Sequence, residues 1–172
     1  INVTRLNKPV GFLLLFWPCT WGLSLALYFE RNFNTFFYYC FLFFCGSVLM
    51  RSAGCIVNDI IDEKIDKKVS RTRNRPIPSG SLSKNTAWMY VLILCSLAFL
   101  VLIQFNFFTI CLGIFSMIFA FSYPFMKRYT YWPQLFLGFT FNWGIIMAWT
   151  SITNEISYLP MLLYIGAIFW TL

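Results

Sequence analysis

The sequence predicts an all-α fold, a polytopic bundle of transmembrane helices. Three observations carry that expectation. Of 172 residues, 59% are hydrophobic, 22% aromatic and only 11% charged, whereas soluble domains carry about 25% charged residues. Twenty-one Phe, nine Tyr and seven Trp exceed what one soluble core of this length can bury. The apolar residues fall in long runs, and the basic residues gather in alternate gaps between them. This composition excludes a soluble globular domain, a disordered chain and a disulfide scaffold. There is no His, so a His general base and His metal ligands are also excluded.

Six runs follow in order: Val10–Phe29, Phe36–Val57, Thr86–Ile103, Phe107–Phe125, Pro133–Thr150 and Tyr158–Leu172. About 20 helical residues cross a hydrocarbon core of about 30 Å. The first five runs meet this length, allowing for aromatic ends and tilt, and the sixth falls short. The first run has basic residues ahead of it, as a signal peptide does. It is longer than such an apolar segment and lacks a small-x-small cleavage site, so it reads as a retained span. The chain starts at Ile1 and stops within an apolar run, so residues 1–172 are expected to be a fragment. The cysteines, at 19, 40, 45, 55, 95 and 111, form no Cys-x-x-Cys pair and read as thiols of buried helices.

Charge sets the expected orientation. Arg5 and Lys8 precede the first run. Lys64, Lys67, Lys68, Arg71, Arg73, Arg75 and Lys84 lie between the second and third, and Lys127 and Arg128 between the fourth and fifth. Arg31 alone falls in an opposite loop, and Arg51 lies inside the second run. The positive-inside rule puts the N-terminus and both basic loops in the cytoplasm. The net charge of +7 is therefore a topology signal, and no nucleic-acid partner is expected.

The most informative stretch is Asn58-Asp59-Ile60-Ile61-Asp62-Glu63-Lys64-Ile65-Asp66. If the second helix continues, positions 58, 62 and 66 advance only about 40° per step and Asp59 lies about 100° from Asn58. Asn58, Asp59, Asp62 and Asp66 then share one face at the mouth of a membrane helix. Three carboxylates so close repel one another unless a cation lies between them. Oxygen donors without His or Cys select Mg²⁺ over Zn²⁺, and Mg²⁺ fills its remaining shell with water and substrate phosphate. A membrane-edge carboxylate cluster beside a basic loop suggests a diphosphate on a lipid-soluble tail. A solvated helix end with scattered charges is the plainer alternative.

Arg51 lies seven residues before Asn58, about 20° off the same stripe and about 10 Å deeper. A charge at that depth must face the bundle interior. Two readings stay open: a structural ion pair, or direct contact with substrate. In Arg71-Thr72-Arg73-Asn74-Arg75-Pro76-Ile77-Pro78-Ser79-Gly80, two prolines and a glycine stop any helix, and the guanidinium forks suit phosphate oxygens. The same arginines also serve as topology signals that touch anionic lipid. In Tyr123-Pro124-Phe125-Met126-Lys127-Arg128, Pro124 can kink or end the fourth span. Tyr123 and Lys127, four apart, share a face where the turn stays helical. Taken alone, that segment reads more simply as an aromatic belt with a snorkelling lysine.

These segments together resemble the UbiA superfamily of intramembrane aromatic prenyltransferases. The resemblance rests on Arg5 through Gly11 leading to Trp17-Pro18, on Leu49 through Cys55 leading into Asn58–Asp66, on Arg71 through Gly80, and on Tyr123 through Arg128 with Pro133-Gln134. It is closest to the branch that prenylates 4-hydroxybenzoate in ubiquinone biosynthesis. It implies a bundle of nine transmembrane helices, of which six are present, with residues 1–172 as the N-terminal two-thirds of one domain. It implies transfer of a polyprenyl group from its diphosphate to 4-hydroxybenzoate, with Asp59, Asp62 and Asp66 holding Mg²⁺ and the diphosphate and Asn58 assisting. Tyr123 and Lys127 would bind the diphosphate, Lys127 in a catalytic role. Arg71 and Arg75 match substrate-binding positions, and Arg5 and Lys8 match an N-terminal motif. The family also needs a second Asp-rich motif, which residues 1–172 lack, so these residues alone are expected to be inactive. Another aromatic acceptor such as a naphthoate, or an ion-coupled transporter, are the competing expectations. A bacterial inner membrane is the expected location. Tail length and oligomeric state are not legible from the residues.

Overall fold

The computed structural model describes residues 3–129 and 131–172; the side chains of 123–125 and 127–129 fall outside what it describes. Eight helices follow in chain order: α1 (Val10–Glu30), α2 (Phe33–Ile61), α3 (Glu63–Asp66), α4 (Lys84–Leu102), α5 (Phe107–Tyr129), α6 (Pro133–Asn142), α7 (Gly144–Thr153) and α8 (Tyr158–Thr171). No strand occurs among the described residues. Among the described residues, four helical segments are long and apolar enough to cross a membrane: α1, α2, α4 and the α6–α7 pair. The chain is an integral membrane protein. Its outward residues fit lipid, as Leu92 on α4 and Phe169 on α8 are each about 70% exposed.

Each apolar run is helical, with three differences from the sequence reading. First, α2 begins at Phe33 rather than Phe36, because the Asn32 side-chain oxygen accepts a hydrogen bond from the Thr35 N–H at 3.2 Å and caps the helix. Second, Pro124 does not end the fourth span, since α5 runs on to Tyr129. Third, the run beginning at Pro133 is broken at Trp143 into α6 and α7. Asn142 sits at the break. Its side-chain NH₂ donates to the Gly138 carbonyl one turn back at 2.9 Å, and across to α8 at the Ala167 carbonyl (3.1 Å) and Thr171 Oγ1 (3.0 Å). A side-chain donor on the i−4 carbonyl competes with the helical ladder and favours a bend.

Helix α1 lies between α2 and α7, and α2 in turn packs on α4. The α1–α7 contact is close because glycines line it. A Cβ on Gly22 would stand 2.3 Å from the Ile145 carbonyl oxygen, and one on Gly144 would stand 2.5 Å from Cys19 Sγ. Leu23, Ala26, Ile145 and Ala148 are fully buried along this seam. In lipid, where apolar burial does not drive helices together, such close packing of small residues does. Helices α5 and α8 pack on α6 and α7, and the long segments enclose a central space.

Candidate active site

Helix α2 carries the carboxylate stripe to one end of the bundle. The helical backbone geometry lapses at Asp62 (φ −88°, ψ 2°), so α2 and α3 are separate helices. The hydrogen-bond ladder nevertheless continues: Asp62 N–H donates to the Asn58 carbonyl at 2.9 Å, and Asp66 N–H to the Asp62 carbonyl at 2.8 Å. Asn58, Asp62 and Asp66 thus remain one turn apart, as the spacing predicts.

The basic loop folds back over this end. Thr72 is buried and its hydroxyl donates to the Asp66 carbonyl at 3.0 Å. Ile77 packs with Ile56, Val57, Ala87 and Val91. Gly80 takes a left-handed turn at φ 80°, which glycine adopts without steric cost. These anchors deliver Arg75 to the carboxylates: its Nη1 donates to Asp66 Oδ2 at 2.8 Å and to Asp59 Oδ1 at 3.2 Å. From the N-terminal segment Arg5 reaches the same Asp59 Oδ1. Asp59 and Asp66 are both buried. Two carboxylates therefore converge on one positively charged nitrogen.

The remaining expected residues are distributed as follows. Asn58 lines the cavity below the carboxylates. Asp62 sits at the α2–α3 junction. Arg71 and Lys8 are exposed, and no ion pair joins either to the cluster among the described residues. The side chains of Tyr123 and Lys127 lie outside the described residues. Glu63, which sequence reasoning passed over, accepts from Lys67 at 2.8 Å and from Lys84 at 2.6 Å, tying α3 to the start of α4. The hydrogen bond from Lys67, then that from Lys84, holds its carboxyl down at about 2.

Below the carboxylates lie two adjoining cavities. The upper one, about 410 Å³, is bordered by Arg5, Arg51, Asn58 and Phe141. The lower one, about 370 Å³, is almost wholly apolar and runs past Cys19, Met147 and Leu102 to Phe105. They share Leu15, Met50, Cys95, Met117, Ala120 and Thr140 as common wall. From Met50 to Leu42 the lower cavity follows α2 for about 12 Å. Phe105 lines it as well, its ring 4.8 Å from Phe43 and 5.3 Å from Tyr39.

The surroundings of Arg51 bear on its two open readings. The chain has six acidic residues. Asp59 and Asp66 are held by Arg5 and Arg75, and Glu63 by lysines. Asp62 is about three helical turns away, and Glu30 and Glu155 lie at the other end of the bundle. No carboxylate pairs with Arg51 among the described residues. Its guanidinium instead stands 5.8 Å from the Phe141 ring centroid, at the wall of the upper cavity.

A family model described as "UbiA prenyltransferase family" matches residues 15–172. The chain belongs to the UbiA prenyltransferase family. Among relatives, it is 43% identical over 171 residues to the 4-hydroxybenzoate octaprenyltransferase of Vibrio atlanticus (strain LGP32), covering 99% of this chain and 59% of that protein. It is 40% identical to the mitochondrial 4-hydroxybenzoate polyprenyltransferase of Caenorhabditis elegans, covering all of this chain and 48% of that one. It is 43% identical to the Arabidopsis thaliana protein of the same name, covering 99% and 42%. The chain thus spans about half the length of the curated relatives it matches. Among solved structures, the apo UbiA homolog from Aeropyrum pernix K1 superposes with a TM-score of 0.71 at 24% identity, covering 92% of this chain and 59% of that one. That likeness shows the UbiA fold.

Proposed function

We propose that this UbiA-family protein transfers a polyprenyl group from polyprenyl diphosphate to the ring of 4-hydroxybenzoate, the reaction of ubiquinone biosynthesis. The supporting observation is the pair of adjoining cavities: an upper chamber bordered by Arg5 and Arg51 that shares its wall with an apolar lower one. A diphosphate at the carboxylate end would place its tail against Met50, Leu15 and Met117 without crossing a polar barrier. The relatives' names supply the acceptor class. In this reading residues 1–172 form the N-terminal part of a single UbiA-like domain, with the N-terminus and the basic loops on the cytoplasmic side of an inner membrane.

The residues present fit Mg²⁺. Asp59 and Asp66 offer hard oxygens and already turn toward one cationic atom, Arg75 Nη1. No group of three acidic or cysteine side chains converges among the described residues; Asp59 and Asp66 would hold the ion, with Asp62 one turn before Asp66 and Asn58 assisting. When bound, it neutralises charge growing on the departing diphosphate. Arg5 and Arg75 stand within reach of the same oxygens and stabilise that charge in a site shielded from water. Tyr123 and Lys127 are assigned to the diphosphate, and Arg71 and Lys8 to substrate binding, on sequence position. Arg51, a cation beside an aromatic ring with no acidic partner among the described residues, suits the carboxylate of an aromatic acid. The ring carbon next to the phenol hydroxyl attacks the allylic carbon, and loss of its proton restores aromaticity. No His base is required, since an arenium ion is a strong acid.

An ion-coupled transporter is the reading from another class. Against it, the carboxylate cluster, Arg5 and the basic loop gather at one end, while Asn106, Thr109 and Thr150 at the other satisfy one another. The experiment is product formation by the full-length protein in membranes, with polyprenyl diphosphate and 4-hydroxybenzoate. Turnover that chelator abolishes and Mg²⁺ restores is the expected outcome. Absence of product sinks the enzyme reading, and turnover indifferent to chelator sinks the metal.

A further inference from the structure

The N-terminal motif contains a glycine that the proposed chemistry leaves unexplained. Gly11 lies in the first turn of α1, against Arg51 of α2. A Cβ built on Gly11 would meet Arg51 Nε at 2.7 Å, Nη2 at 3.3 Å and Cζ at 3.4 Å. All three nearest atoms belong to the guanidinium group, so the missing side chain makes room for that group. On the far wall Phe141 presents its ring 5.8 Å from Arg51 Cζ. A guanidinium ion prefers a ring face, more so out of water. With no carboxylate paired to it among the described residues, an arginine at this depth would sample many rotamers without some other restraint. The notch at Gly11 and the ring of Phe141 restrict it to the cavity wall.

We propose that Gly11 and Phe141 are positioning residues that hold the Arg51 guanidinium in the upper cavity as a receptor for the acceptor's carboxylate. The proposal rests on the prenyl-transfer reading for the identity of the acceptor, and on the geometry for the receptor.

The test uses the full-length protein. Gly11→Ala moves only the far end of Arg51, so fold and donor binding survive. KM for 4-hydroxybenzoate should rise about tenfold, the scale of a weakened charge-assisted hydrogen bond, with KM for polyprenyl diphosphate unchanged and kcat within about twofold. Phe141→Leu should act in the same direction, and Phe141→Tyr, which keeps the ring, should restore most of the loss. In an Arg51→Met background, Gly11→Ala should add nothing. An unchanged acceptor KM, or equal changes for both substrates, overturns the proposal while leaving prenyl transfer intact. If the wild-type protein makes no product, equilibrium binding of 4-hydroxybenzoate to the purified protein decides the matter. Binding weakened about tenfold by Gly11→Ala supports the receptor even though the reaction reading has failed. Absence of binding, or binding indifferent to Gly11, overturns both.

Discussion

At the scale of single residues, the carboxylate end is an exercise in balancing charge. Asp59 and Asp66 are buried within reach of one nitrogen, and Arg75 and Arg5 are the cations that make this tolerable. Truncating one partner of such a cluster leaves buried charge uncompensated, a loss of up to about 3–5 kcal/mol where both partners are fully buried and less here, since the Arg75 side chain is 28% exposed. Arg75→Ala is therefore expected to lower the thermal stability of the detergent-solubilised protein in metal-free buffer. If the same oxygens take Mg²⁺, the ion replaces the lost positive charge, and binding to the folded state alone raises stability. Millimolar Mg²⁺ should then stabilise Arg75→Ala by more than it stabilises the wild type. A variant as stable as wild type without metal, or one blind to Mg²⁺, would show that the carboxylates do not depend on a shared cation.

At the scale of elements, the seam between α1 and α7 decides whether the cavities exist. Both helices contribute cavity wall through Cys19, Gly144 and Met147, and their approach depends on Gly22. A Cβ there meets backbone, the Ile145 carbonyl oxygen, which cannot rotate away. Gly22→Val should destabilise the bundle by about 1–3 kcal/mol or more, as overpacking of a filled interior does. Gly166→Ala on α8 meets nothing within 4 Å and should be neutral or slightly stabilising, since Ala is the better helix former. Thermal unfolding in detergent separates the two, and equal stability of both variants would mean the seam is not close-packed. The break at Trp143 belongs to the same scale. Asn142 is buried in a span and spends its donors on α8 as well as on its own helix, so α6, α7 and α8 are fixed as a group.

For the whole molecule, the charge distribution predicts one orientation. The carboxylate cluster, Arg5 and the basic loop form one end, and the α1–α2 and α7–α8 connections form the other. Lys67→Cys and Glu155→Cys place thiols at exposed positions on opposite ends. In intact bacterial cells expressing the full-length protein, a membrane-impermeant maleimide should label position 155 and spare position 67 until the membrane is breached. The reverse pattern would invert the topology and put the proposed site on the outer face.

The helices and the carboxylate stripe were legible in the sequence because each depends on local, periodic information. An apolar run of membrane length has to be helical, since lipid offers its backbone no other partner. Residues four apart share a face whatever the tertiary context, which is why Asn58, Asp62 and Asp66 stayed in line even across the α2–α3 junction. What the sequence did not contain is which distant side chains meet. Arg5 reaches Asp59 across 54 positions, and Arg75 was one of several similar arginines until the loop's fold chose it over the exposed Arg71. For Arg51, open in the sequence between ion pair and ligand contact, only the bundle shows its surroundings: no paired carboxylate among the described residues, and Gly11 and Phe141 beside the guanidinium. Such choices are made by packing between segments far apart in the chain, and no periodicity along the chain encodes them.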